Sequence, residues 1–203
     1  MKVPFIDFKY ESDEFSSDYE VLLNNHVNKG EFIGGESVKN FETQLQEYLG
    51  VKNVVGVGNG TDALLIGLLS LKLERKEVIV PSFSFFATSE AIVQAGLVPV
   101  FVDVNKKDCN INVKKIEEKI TNNTGAILPV HLFGNAAEMD ALMELAKSRN
   151  LKIVEDVAQS FGTKYKDKQL GTIGDLGCFS FFPTKTLGAY GDGGAIATDS
   201  DEL

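Results

Sequence analysis

Hydrophobic and polar positions change period along this chain. Residues 36–49 place Val38, Phe41, Leu45, Tyr48 and Leu49 at helical spacing, and the run stops at Gly50. The mixed segment 12–29 also predicts a helix, closed by Gly30, and residues 31–35 predict a flexible connector. From residue 54 onward, short apolar runs alternate with longer segments. The runs 54–57, 77–80, 98–102, 126–130 and 151–155 predict strands. Residues 61–73, 85–95, 113–120 and 138–149 predict the helices between them. Strands that are apolar throughout pair in parallel with both faces covered, so an α/β fold with helices on both faces of the sheet is expected. After Asp156 the alternation ends. Residues 161–165, 169–170, 179–182 and 195–198 predict strands joined by turns, and part of the sheet is expected to be antiparallel. Residues 199–203 read as an N-cap and the first turn of a helix, and so as a chain cut within a longer protein.

Length and charge narrow the picture. The 203 residues suffice for one α/β domain with a substantial core. A net charge of −9 argues against nucleic acid or an anionic membrane as partner. An anionic small molecule would need local donors. Cys109 and Cys178 form no metal or redox spacing and suit a reducing compartment. No apolar run approaches a membrane span, and Asp7 comes too early for a secretory signal, so a cytoplasmic protein is expected.

In such sheets ligands bind beyond the carboxyl ends of the strands. After the first strand stands Gly58-Asn59-Gly60-Thr61-Asp62-Ala63-Leu64. It reads either as a phosphate site, with glycines and free helix amides, or as a plain strand-to-helix turn. It is not GxGxxG, and Val80 ends the second strand where a dinucleotide site needs an acid. Phe83, Phe85 and Phe86 follow the second strand; one could stack on a flat ring, whereas core packing suits the others. Asp156 ends the fifth strand, either as a cap or as partner to a protonated pyridine nitrogen. An aromatic strand is expected to stop at Pro183, which has no amide to donate. Lys185 follows, before glycines. By itself it would be a solvated charge. In a partly desolvated pocket the neutral amine is favoured, and it attacks carbonyls to form a Schiff base. Ser180 could offer a hydroxyl to the same phosphate. Phosphate amides, stacking ring, carboxylate and lysine together match the needs of pyridoxal phosphate.

These motifs carry a resemblance. Asn59 to Leu64, Val154-Glu155-Asp156-Val157-Ala158-Gln159, and Phe179-Ser180-Phe181 with Lys185 and Gly193-Gly194 are similar to those of the DegT/DnrJ/EryC1/StrS sugar aminotransferases. The likeness runs from Pro4-Phe5-Ile6-Asp7 to the last residue. It implies the three-layer large domain of fold type I, preceded by an N-terminal segment, with the family's C-terminal small domain missing from residues 1–203. It implies Lys185 as the Schiff-base lysine, Asp156 on the ring nitrogen, Gln159 on the ring hydroxyl and Phe85 as the stacking ring. Gly60, Thr61 and Ser180 would hold the phosphate, and Ile33 and Gly34 would edge the substrate. His131 is expected to be a buried structural residue. The implied reaction moves an amino group, with glutamate as donor, to a nucleotide-linked keto-sugar, at C3 rather than C4. Its setting would be cell-surface polysaccharide or glycosylated metabolite synthesis. A homodimer is implied for the full-length protein. The family's dehydratases replace the lysine by histidine, so Lys185 sets that branch aside. The rival readings are an inactive truncated form and a cofactor-binding regulator or scaffold; no DNA-binding module or basic patch supports the regulator.

Overall fold

The computed structural model describes residues 3–4, 6–30 and 32–203, with backbone alone at 10 and 11. Phe5 of the opening motif and Glu31 of the expected connector lie outside the described residues. The chain divides into Met1–Phe41 and Glu42–Leu203. In the smaller unit, helix α1 (Lys9–Lys29) ends where Gly30 turns left-handed at φ 68° and its amide meets the carbonyls of His26 and Val27. Gly34 and Gly35 also take positive φ, before α2 (Glu36–Leu49) runs on into the larger unit.

The larger unit is the expected alternation. Its elements are β1 (Asn53–Val57), α3 (Gly60–Ser70), β2 (Glu77–Pro81), α4 (Phe86–Gln94), β3 (Val98–Val102), α5 (Val113–Ile116), β4 (Thr124–Ile127), α6 (Met139–Arg149) and β5 (Lys152–Asp156). A small hairpin follows, β6 (Lys164–Tyr165) with β7 (Lys168–Gln169), then β8 (Leu176–Ser180) and β9 (Gly194–Thr198). The seven-stranded sheet has the order β1-β9-β8-β5-β4-β2-β3. Pairing is parallel from β3 through β8, while β9 runs against both β8 and β1. The α/β fold with a mixed, mostly parallel sheet is therefore present.

Strand alternation explains the two layers of core. Val78, Val80 and Val154 face Leu64 and Leu68 of α3 and Ala91 and Ile92 of α4. Their neighbours Ile79 and Ile153, with Ile127, face Ile116 of α5 and Met139, Leu142 and Ala146 of α6. A third cluster joins Leu45 and Leu49 of α2 to Phe179 and Phe181. Each such Leu or Ile is worth about 2–5 kcal/mol against alanine.

Several boundaries differ from expectation. The strand expected to run to Pro183 ends at Ser180, because β9 stops pairing there: Ser180 lies opposite Gly194, the first residue of β9. Of residues 161–165 only Lys164 and Tyr165 pair, since Gly162 turns the chain at φ 80°. Helix α3 ends at Ser70, before Lys72 adopts φ 46°. Residues 199–203 form no helical turn. Their acceptors are used elsewhere: Asp199 receives the Lys52 amide at 3.0 Å, and Asp201 receives the Asn53 side-chain amide at 3.0 Å.

One buried carboxylate fastens the far side of β5. Glu155 is fully buried, and its oxygens accept the backbone amides of Gly171 (2.9 Å), Ile173 (2.7 Å) and Gly174 (2.7 Å). His131, equally buried, takes the Ala137 amide on Nδ1 at 3.1 Å, so Nε2 carries the proton donated to Glu155 at 3.0 Å. The loop lies so close to β8 that only glycine fits at 177, where a Cβ would sit 2.1 Å from the Gly171 oxygen. Glu155→Ala leaves three amides and a ring N–H without acceptors and is expected to cost about 3–5 kcal/mol. Urea unfolding measures this, and a loss below about 1 kcal/mol would show that the loop does not depend on Glu155.

Candidate active site

A cleft of about 610 Å³ opens over the carboxyl ends of β1, β2, β5 and β8. Its walls include Gly60, Thr61, Phe85, Asp156, Gln159, Ser180 and Lys185. Seven of the nine residues expected to serve the site therefore share one cavity. Ile33 and Gly34 belong to the smaller unit, where Ile33 is 96% exposed and Gly34 has φ +66°.

The turn before α3 is built to leave amides free. Asn59 caps the helix: its Oδ1 accepts the Asp62 amide at 2.8 Å, and its Nδ2 donates to Asp62 Oδ2 at 3.0 Å. Ala63 bonds to the Asn59 carbonyl. The amides of Gly60 and Thr61 remain for an outside acceptor, at the positive end of an 11-residue helix. Gly60 admits no side chain, since a Cβ there would lie 2.5 Å from that of Ser180. The Ser180 hydroxyl thus borders the same amides. The cap was legible as asparagine three residues before aspartate, a variant of the reciprocal capping pattern.

Asp156 lies on the floor and is 4% exposed. Oδ1 accepts the Ala158 amide at 3.1 Å, and Oδ2 accepts the Thr88 hydroxyl at 2.9 Å. Among the described residues no cation lies within ion-pair distance of it. Burial raises its pKa above the ordinary 3.8; the Ala158 amide, the Thr88 hydroxyl and the charge of Lys185 oppose that rise.

Gln159 has its amide orientation fixed. Phe133 donates its backbone N–H to Gln159 Oε1 at 3.1 Å, which leaves Nε2 as the donor for a ligand. Phe133 holds φ 56° and ψ 29°, a left-handed geometry that costs a phenylalanine on the order of 1–3 kcal/mol. Phe85 forms the N-cap of α4 and is 71% exposed, so its face is available to a planar ligand. Lys185 is half-buried in the loop after β8, held by its amide on the Phe182 carbonyl at 2.8 Å. Thr88, Phe133 and Glu155 went unassigned in the sequence, because their partners are 26 to 68 residues distant or depend on the sheet's layering, whereas His131 is the buried structural residue expected.

Comparison with known proteins places this geometry. The model of the DegT/DnrJ/EryC1/StrS aminotransferase family matches residues 15–203. The chain belongs to that family. A pleiotropic regulatory protein of Geobacillus stearothermophilus is 41% identical over 100% of this chain and 55% of its own length. A UDP-N-acetyl-3-dehydro-alpha-D-glucosamine 3-aminotransferase of Acidithiobacillus ferrooxidans is 39% identical over 99% and 55%. The crystal structure of NtdA from Bacillus subtilis with bound cofactor PMP superposes with a TM-score of 0.92, at 38% identity over 99% of this chain and 46% of that one. The chain thus spans about half the length of these relatives. No helix of the described residues is long and apolar enough to cross a membrane.

The raised pKa of Asp156 sets a pH dependence in the ligand-free protein. The folded state holds this proton more tightly than the unfolded chain does. The stability contributed by this group is therefore fully present below the unfolded value of 3.8 and is lost as pH rises through the folded value. Asp156→Asn removes the buried charge. Its ligand-free form is expected to match the parent near pH 4 and to exceed it near pH 8 in urea unfolding. A variant that is less stable than the parent near pH 8 would show that the empty fold gains from the charge.

Proposed function

We propose that the whole protein is a pyridoxal-phosphate-dependent aminotransferase acting on a nucleotide-linked keto-sugar. The observation that carries this reading is a buried carboxylate with no counter-ion among the described residues, sharing a cleft with an amine and with the open amide end of a helix. A protonated pyridine nitrogen would supply the missing cation, and a phosphate would satisfy the Gly60 and Thr61 amides. Pyridoxal phosphate, when bound, supplies an electron sink for negative charge at the substrate carbon.

The chain's own residues supply the rest. Gly60, Thr61 and Ser180 anchor the phosphate, Phe85 covers one ring face and Gln159 Nε2 donates to the ring oxygen. Asp156 keeps the ring nitrogen protonated. Lys185 Nζ would hold the cofactor by its aldehyde carbon and, once displaced by the amino donor, would be placed to carry a proton between the substrate carbon and that same position. Glutamate as donor, C3 as the aminated position, and Ile33 and Gly34 at the substrate edge follow the family resemblance; the 3-aminotransferase relative supports the position. A regulatory role is the second reading, favoured by the function for which the Geobacillus relative is named.

Borohydride reduction with pyridoxal phosphate present should fix the cofactor to the peptide containing Lys185. Lys185→Ala should abolish amino transfer while retaining some cofactor affinity. Label on Lys164, Lys166 or Lys168 instead would overturn the assignment. Binding without any amino transfer in the full-length protein would favour the regulatory reading.

A further inference from the structure

We propose that Thr88 is the positioning residue for Asp156, and that Ser84 fixes the sense of the hydrogen bond between them. The value of this contact to catalysis rests on the reading given above; the contact itself does not.

Thr88 is 2% exposed, and its hydroxyl lies 2.9 Å from Asp156 Oδ2. Ser84 Oγ lies 2.8 Å from Thr88 Oγ1. A hydroxyl has one proton. With Asp156 ionised, the Thr88 proton is spent on the carboxylate, so Ser84 must donate to Thr88. With Asp156 protonated, the chain reverses: the acid donates to Thr88, and Thr88 donates to Ser84 at the cleft wall. The two states differ by the sense of two hydroxyls, with no heavy-atom motion.

The geometry also ties the carboxylate to the ring platform. Ser84 and Thr88 flank Phe85, and the Thr88 amide bonds to the Phe85 carbonyl at 3.2 Å. One helical turn therefore carries both the exposed aromatic and the donor that orients Asp156. The Ala158 amide holds the other oxygen at 3.1 Å, so donors from two elements fix the carboxylate plane. The other titratable groups around Asp156 are His131 beyond β4, Lys185 beyond β8, Cys178 on β8 and Glu155 on β5 itself, and among the described residues none of them hydrogen-bonds its carboxylate. Thr88 is thus its one side-chain hydrogen-bond donor among the described residues.

The test is the titration of the Asp156 carboxyl, followed by carbon-13 NMR in cofactor-free protein. Losing a hydrogen bond to a charged acceptor should raise its midpoint by about one to two pH units in Thr88→Val. Thr88→Ser keeps the hydroxyl and should restore the parent midpoint. Ser84→Ala, which leaves Thr88 in place, should raise it by about half a unit. In protein loaded with pyridoxal phosphate, Thr88→Val should weaken cofactor binding about tenfold and lower the protonated fraction of the ring nitrogen, read by nitrogen-15 NMR. An unchanged midpoint in Thr88→Val, or in Ser84→Ala should the valine variant fail to fold, overturns the proposal. Failure of the parent itself to bind the cofactor would overturn the functional reading alone, because the carboxyl titration is read without cofactor.

Discussion

Two adjacent carboxylates in the centre of a sheet set the constraint on which the site depends. Strand β5 is covered on both faces, so Glu155 and Asp156 point to opposite sides and both are buried. Burying a carboxylate without partners is costly. Glu155 is fully served, by three amides and an imidazole N–H. Asp156 has one amide and one hydroxyl. The first carboxylate holds a loop in place, and the second keeps unspent acceptor capacity facing a cleft. The difference between structure and chemistry at this point is the number of donors supplied on each face.

Around that residue the chain has fixed orientations rather than merely collected functional groups. The Gln159 amide is turned by the strained Phe133 backbone, and the first turn of α3 is opened by the Asn59–Asp62 pair. Each device uses a neighbouring polar group to occupy the wrong valence, leaving the useful one outward. Preorganisation of this kind lowers what must be ordered when a ligand arrives.

The layers of this fold were legible because strands buried on both faces are unbroken apolar runs, and runs such as Val78-Ile79-Val80 contain nothing else. The strands before Gly60 and Asp156 were legible for the same reason, whereas the strand before Lys185 ends three residues short of Pro183 because its partner β9 begins only at Gly194. What escaped notice depended on distant partners. Nothing near Thr88 in the chain announces Asp156, 68 residues away. The acids Asp199 and Asp201 look like part of a helix start, yet they receive donors from Lys52 and Asn53, 147 and 148 residues earlier. Helix capping is a local preference, and tertiary pairing overrode it.

The insertion of β9 between β1 and β8 bears on how the protein matures during synthesis. Strand β1, at residues 53–57, has β9, at residues 194–198, as its sole strand partner among the described residues. Closing so long a stretch of chain is slow and must precede any gain from the pairing. Gly194 also packs against the turn before α3; a Cβ there would lie 2.4 Å from the Asn59 oxygen. On a ribosome, the turn before α3 is thus translated early and shaped late. A nascent chain with only its first five strands lacks the Gly194 backbone against which that turn packs.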